Sequence, residues 1–358
     1  MRQKREFLCS VAALCWATSL LSVQGCGNSG GGTAGAGGDG TATSQAGEAG
    51  DGTSSGDAGD AATTGGSGCF TDRAQASRIA LVGTSACAID STGSVQCWGA
   101  GDTGTGPAPM PPTETFLQVS AQLGVYAAVT TAHEPLFWGG PQPSAATPLG
   151  MFDQATVVQH SIACAITTCG AIECWPSGAE SGLSMPPSGS FRQITGGGTH
   201  ACAIDSLDAL HCWGEDSFGQ ADPPGGTFVF VSSGLEHSCA IASDGHVECW
   251  GAGSKLPNDT TDNFGQAIPP TGTFKYLAAG YYHTCGILTD GTVQCWGAGK
   301  TASNCTTLNE CGQSIPPTGT FQQIAGGFTN TCGITTNGTL ACWGSNTGGR
   351  STPPADFK

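Results

Sequence analysis

A fixed cysteine spacing, repeated along the chain, limits the possible folds more than any other feature. The phrase Cys-Ala/Gly-Ile, a short turn, then Cys-Trp occurs at Cys87/Cys97, Cys164/Cys174, Cys202/Cys212, Cys239/Cys249, Cys285/Cys295 and Cys332/Cys342, each pair ten residues apart. A phenylalanine opens most copies eleven residues before the first cysteine, at Phe191, Phe228, Phe274 and Phe321, with Phe152 at twelve. Counting the same way from Phe116 uncovers a seventh copy. It has Ala127 and Phe137 at the cysteine positions, followed by Trp138-Gly139. Self-similarity at a fixed period marks a repeat architecture, in which each unit buries its apolar face only against its neighbours.

The seventh copy lacks both cysteines together, as expected if the two are bonded to each other elsewhere. Placing them opposite one another in a β-hairpin leaves three central residues, the third in the left-handed region that favours glycine. Those third positions are Gly93, Gly170, Gly245, Gly291 and Gly338, with Asp208 and His133 in the other two copies. Asp and His are among the side chains that tolerate this region. Facing residues of an antiparallel pair have Cα atoms about 4.5–5.5 Å apart, within disulfide reach. Each such staple contributes on the order of 3 kcal/mol in the chain-entropy model. Every tryptophan beyond Trp16 holds the same repeat position: Trp98, Trp138, Trp175, Trp213, Trp250, Trp296 and Trp343. One per unit reads as a packing anchor rather than a cofactor cage.

Seven such units of short strands predict an all-β, seven-bladed β-propeller over residues 68–358, with a disulfide-stapled hairpin in six blades. The final Pro353-Pro354-Ala355-Asp356-Phe357 is an opening phrase with no blade after it, whereas the first copy has Ala76 in place of its phenylalanine. The C-terminal segment is therefore expected to complete the first blade.

What precedes the repeats is of another kind. Arg2, Lys4 and Arg5 lead an apolar run from Phe7 to Val23 that ends at Gly25-Cys26, so residues 1–25 read as a secretory signal. A cysteine after a small residue resembles the lipobox of bacterial lipoproteins, which implies acylation at Cys26. Residues 26–67 are almost wholly Gly, Ala, Ser, Thr and Asp. They cannot bury enough apolar surface to offset chain entropy and read as a disordered tether. Its reach as a Gly-rich coil is roughly 35 Å. The expected location is the cell envelope, outside the cytoplasm, at the outer membrane or cell surface, with the lipid as the sole membrane contact.

Within the repeats, Gly-x-x-His-x-Cys before the hairpin, Asp-Gly at its turn and the downstream Gly219-Gln220, Gly265-Gln266 and Gly312-Gln313 resemble the regulator of chromosome condensation repeat. The added cysteine pair and the Pro-Pro-x-x-x-Phe ending are similar to its secreted members, namely bacterial exported repeat proteins and the crinkly-type ectodomains of plant receptor kinases. The resemblance implies the fold far more strongly than a function, because propellers host many unrelated activities. Nucleotide exchange and nucleosome binding, known for the nuclear member, are disfavoured here. The formal charge is −16, and removal of the leader with Arg2, Lys4, Arg5 and Glu6 makes it more negative. Such a surface repels nucleic-acid phosphates and anionic lipid heads.

Catalytic signatures are not evident. The arginines beyond the leader, Arg73, Arg78, Arg192 and Arg350, are scattered, and no GxSxG, HExxH or Cys-His nucleophile pattern occurs within the repeats. His200, His237 and His283 recur at equivalent positions in consecutive blades. That places them too far apart to share one ion at about 2.1 Å and favours packing or a local hydrogen bond. No enzyme activity, cofactor or metal is expected. Departures from regularity point instead to a binding face: about nine extra residues follow both Trp250 and Trp296. The first insertion offers Asn258, Asp259, Asp262 and Phe264; its oxygen-rich run lacks an EF-hand pattern. The second carries Cys305 and Cys311, expected to form a local clasp that pre-organises the loop. Tyr281 and Tyr282 complete the candidate surface. Cys69 and Cys169 remain after this pairing. The expected role is a monomeric, non-enzymatic binder of a protein or glycan. The alternatives are a structural surface protein or an inhibitor of an exported enzyme.

Overall fold

A computed structural model describes residues 76–101, 108–140, 150–159, 162–175, 182–254, 263–301 and 310–358. Each repeat forms one three-stranded antiparallel sheet, and there are seven. The strands of blade 1 are Ile79–Val82, Ser85–Ile89 and Val95–Gly99; those of blade 2 are Phe116–Gln122, Val125–Thr130 and Pro135–Gly139. Blades 3 and 4 comprise Phe152–Val158, Ile162–Thr167 and Ile172–Trp175, then Phe191–Gly196, His200–Asp205 and Leu210–Gly214. Blades 5 and 6 comprise Phe228–Ser233, His237–Ala242 and Val247–Gly251, then Phe274–Ala279, His283–Leu288 and Val293–Gly297. Blade 7 is Phe321–Gly326, Asn330–Thr335 and Leu340–Gly344. The first strand of every blade touches the first strand of the next, and that of blade 7 touches that of blade 1. This is a closed ring, the seven-bladed β-propeller the repeats predict.

Turn chemistry fixes each hairpin. Cys87 pairs directly with Cys97, Cys164 with Cys174 and Cys202 with Cys212. The same register sets Cys239 opposite Cys249, Cys285 opposite Cys295 and Cys332 opposite Cys342. All six pairs are disulfides with Cα atoms 4.0–4.1 Å apart, closer than facing strand residues usually lie because the bridge draws the strands together. The sequence treats the two cysteines of a pair alike, and here the structure differs. Cys87, Cys164, Cys202, Cys239, Cys285 and Cys332, on the middle strands, are fully buried. Cys97, Cys174, Cys212, Cys249, Cys295 and Cys342 are only half-buried, because the third strand is the edge of its sheet.

Gly93, Gly170, Gly245, Gly291 and Gly338 have φ between 81° and 92°, and His133 and Asp208 adopt 64° and 65°. The third turn position is left-handed in all seven blades, as the sequence predicts. In blade 2 aromatic packing stands where the bridge would be. Phe137 lies edge-on to Trp175 at 5.5 Å, and Tyr126 stacks on Trp138 at 5.3 Å. Six such bridges fit an oxidising, extracytoplasmic compartment.

The core lies between blades rather than within them. Phe116, which opens blade 2, packs with Ala80, Val82, Cys87 and Ile89 of blade 1. In blades 4 to 7 the tryptophan reaches back in the same direction: Trp213, Trp250, Trp296 and Trp343 donate Nε1–H to the carbonyls of Leu183, Gln220, Gln266 and Gln313. A buried indole N–H thus finds a partner at every one of these seams. Just after each opening phenylalanine in blades 2–7 the ladder skips one residue. The residue beyond the skip is glutamine in four blades, and it clamps the next blade's backbone. Gln118 donates to the Ala155 carbonyl at 3.1 Å and accepts from its N–H at 3.0 Å; Gln193 treats Val231 the same way at 3.0 Å for both bonds.

The last of these clamps closes the ring. Gln323 accepts from Arg78 N–H at 2.7 Å and donates to the Ala76 carbonyl at 2.8 Å. Phe357 supplies the phenylalanine that the first copy lacks, packing among Ile79, Leu81 and Trp98 of blade 1 and Cys332 and Ile334 of blade 7. Trp98 donates to the Arg350 carbonyl, Arg350 donates to the Gly83 carbonyl, and Ser91 N–H reaches the Lys358 carbonyl.

Candidate functional site

An antiparallel meander sends its two kinds of connection to opposite ends. One face of the ring carries the hairpin turns around Gly93, Asp208 and Gly291 (the turn face). The other carries the loops joining first and second strands and the ends of the third strands (the loop face). Gly251 pairs with His237 and Gly297 with His283, so both insertions leave from the loop face. Asn258, Asp259, Asp262 and Cys305 lie outside the described residues, as do Cys26, Cys69 and Arg73. Cys311 and Cys169 are both disulfide-bonded.

Three predicted residues do meet there. Phe264 packs on Tyr282 with ring centroids 5.6 Å apart, and Tyr282 lies 6.5 Å from Tyr281. A fourth ring, Phe328 of blade 7, joins both tyrosines at 5.1 and 5.8 Å. All four side chains are half-buried, one side packed and one facing solvent. The sequence reading missed Phe328, although a signal existed: Phe328 and Tyr281 each lie four residues before the first cysteine of their blade, Cys332 and Cys285.

Beside this cluster opens the central channel. Its wall comes from the first strands of all seven blades, including Ile79, Gln118, Gln154, Gln193, Tyr276 and Ile324. A space of about 150 Å³ along the axis continues into one of about 110 Å³ at the loop-face mouth, where Tyr281 forms part of the rim. No residue lining either space carries a formal charge. On an acidic protein this neutral lining is a distinct environment.

The three equivalent histidines are joints between blades. His200, His237 and His283 are fully buried, and their Nε2 atoms lie 2.8 Å from Ser238 Oγ, Thr284 Oγ1 and Thr331 Oγ1 of the following blade. Thr284 and Thr331 donate their single protons to the Gln266 and Gln313 carbonyls at 3.1 Å. His237 and His283 therefore carry the proton on Nε2 and donate it. Burial holds the three rings neutral, with pKa lowered to about 4, 3 and 4 in chain order; His200 and His283 push His237 down further. The sequence predicts packing or a local hydrogen bond for these rings; they are buried and bonded, but across a blade seam rather than locally. The described arginines are engaged likewise. Arg192 pairs with Asp208 at 2.7 Å, Arg78 binds the Ile89 and Asp90 carbonyls, and Arg350 is buried.

The model of the regulator of chromosome condensation repeat matches residues 191–220, 228–255, 274–313 and 321–350. These stretches are blades 4 to 7, including the two that carry the insertions. No curated protein sequence matches the chain. Among solved structures, the entire ectodomain of the receptor kinase CR4 from Physcomitrella patens aligns with a TM-score of 0.58 and 21% identity, covering 75% of this chain and 73% of that one. The CRINKLY WD40 ectodomain of the receptor kinase ACR4 from Arabidopsis thaliana gives 0.56 and 21%, covering 75% and 97%. Human WBSCR16 gives 0.56 and 15%, covering 75% and 88%. At these identities the likeness concerns the fold.

Proposed function

From a ring in which four blades are repeats of the regulator of chromosome condensation type, we propose that this chain is a lipid-anchored, non-enzymatic binding module of the cell envelope, and that its loop face engages an extracytoplasmic partner. The carrying observation is the convergence of Phe264, Tyr281, Tyr282 and Phe328 on the face from which both insertions emerge. Aromatic rings present large contact area with few rotatable bonds, which is why they dominate recognition surfaces. The signal and tether read from residues 1–67 agree with this placement: a lipid on Cys26 would tether the ring to a membrane with a root-mean-square reach of roughly 35 Å. Two ectodomains of plant receptor kinases share the fold, which supports a recognition role without naming a ligand.

The test uses the mature chain with Cys26→Ser, which removes the acyl site, and co-sedimentation with isolated cell envelopes. Retention by the envelopes is expected, with at least a tenfold loss in the variant Tyr281→Ala/Phe328→Ala. A turn-face variant, Leu207→Ala, should behave as the parent does. Equal retention of all three, or none by the parent, overturns the proposal.

A further inference from the structure

The residues opposite the first hairpin-cysteine position of each blade form a ring around the channel. In chain order they are Ala80, Ser120, Thr156, Thr195, Ser232, Ala278 and Ala325, and all seven line it. At this position blades 2 to 5 therefore contribute an unbroken crescent of hydroxyls, while blades 6, 7 and 1 contribute methyl groups. Tyr276 within the channel, its hydroxyl hydrogen-bonded to Ser77, and Tyr281 at the mouth add aromatic surface to this side. The hydroxyls keep capacity to spare. Thr195 and Ser232 accept the Ser233 and Ala279 N–H groups at 3.1 and 3.0 Å, so their protons remain to be donated. Ser120 donates to the Ala155 carbonyl at 2.9 Å, so its lone pairs remain to accept.

A channel with one hydroxylated wall, one methyl and aromatic wall and no charge selects a ligand with the same division. A pyranose has it: hydroxyls project from its edge, and its C–H bonds make an apolar face that stacks on aromatic rings. Size narrows the choice further. A cavity of about 150 Å³ accommodates one benzene-sized ring, so the two connected spaces hold one or two six-membered rings in line. That is too little for a folded partner or a branched antenna. We propose that the loop-face mouth of the channel binds the end of a neutral saccharide chain, with Tyr281 against the sugar's apolar face and Ser120, Thr195 and Ser232 on its hydroxyls. This inference rests on the loop face being the binding surface and supplies the chemistry of its ligand.

The experiment is calorimetric titration of the mature Cys26→Ser chain with neutral hexasaccharides built from glucose, mannose, galactose or N-acetylglucosamine. Hexagalacturonate serves as the charged comparison. At least one neutral chain should bind, and hexagalacturonate at least tenfold more weakly. Affinity should fall tenfold or more in Tyr281→Ala and in Ala279→Leu, which narrows the mouth, with melting temperatures near the parent's. Should Ala279→Leu fail to fold, the parent decides by hydroxyl-radical footprinting: bound saccharide must protect Tyr281 and leave Leu207 unchanged. Absence of binding across the neutral panel overturns the inference, as does binding that leaves Tyr281 unprotected. Neither result touches the loop-face reading, provided Tyr281→Ala/Phe328→Ala still abolishes envelope retention. If that variant is retained, the face itself is wrong.

Discussion

His237 shows how a residue that looks like chemistry serves the framework. Its ring is wholly buried and donates across a blade seam to Thr284, which passes its own proton to the Gln266 carbonyl. This arrangement has a pH consequence with a definite sign. The three buried histidines have pKa values near 4, 3 and 4 in the fold, against about 6.5 in an unfolded chain. Between those values the unfolded chain binds protons that the native one refuses. Their stabilising contribution is complete above about pH 6.5 and declines as pH falls toward 4. Each site contributes at most about 1.4 kcal/mol per pH unit, or about 4 for the three together. Denaturation midpoints compared at pH 7 and pH 5 should show this decline, and His283→Gln should remove about a third of it. An unchanged dependence in that variant would mean the ring is not buried as described. That these histidines serve the framework, by packing or by hydrogen bonding, was legible in the sequence from their periodic placement. Their partners were not, because a partner on the next blade 38 to 48 residues away has no local signature.

The hairpin is the element read most completely from sequence. Facing cysteines and a left-handed third turn residue are both local properties, and local chemistry sets them. The uneven burial of each pair was not legible, because it depends on which strand ends the sheet. Blade 2 gives the sharpest check, since Ala127 pairs with Phe137 just as the cysteines pair in the other six. The variant Ala127→Cys/Phe137→Cys should form a seventh bridge, leaving no additional thiol to react under denaturing conditions. Stability should rise by less than the roughly 3 kcal/mol of the chain-entropy model, because the edge-on contact of Phe137 with Trp175 is lost. Two extra reactive thiols would contradict the register. The channel wall was less legible. The series Ala80, Ser120, Thr156, Thr195, Ser232, Ala278 and Ala325 is plain in the sequence, but only ring closure brings the seven to one channel and separates hydroxyls from methyls.

At the scale of the whole molecule, closure joins two ends of the repeat array. Phe357 fills the seam between blades 7 and 1, with Gln323 and Arg350 bonding across it. Removing the ring by Phe357→Ala should cost about 3–5 kcal/mol, as large-to-small changes in buried aromatics do; a loss below about 1 kcal/mol would show that the ring closes without it. That closure was foreseeable from the orphan opening phrase at the C-terminus. The gathering of aromatics was foreseeable only in part: Phe264 and Tyr282 belong to different connections, and Phe328 sits on another blade.

The loop face, not the turn face, is the surface proposed to meet the partner. Hydroxyl-radical footprinting of the mature Cys26→Ser chain, with and without isolated envelopes, reads both faces at once. Phe264, Tyr281, Tyr282 and Phe328 should be protected. Labelling should stay unchanged at Leu207 and Val229, which are 80% and 43% exposed near the opposite face. Protection of Leu207 and Val229 with the four aromatics still labelled would contradict the proposal.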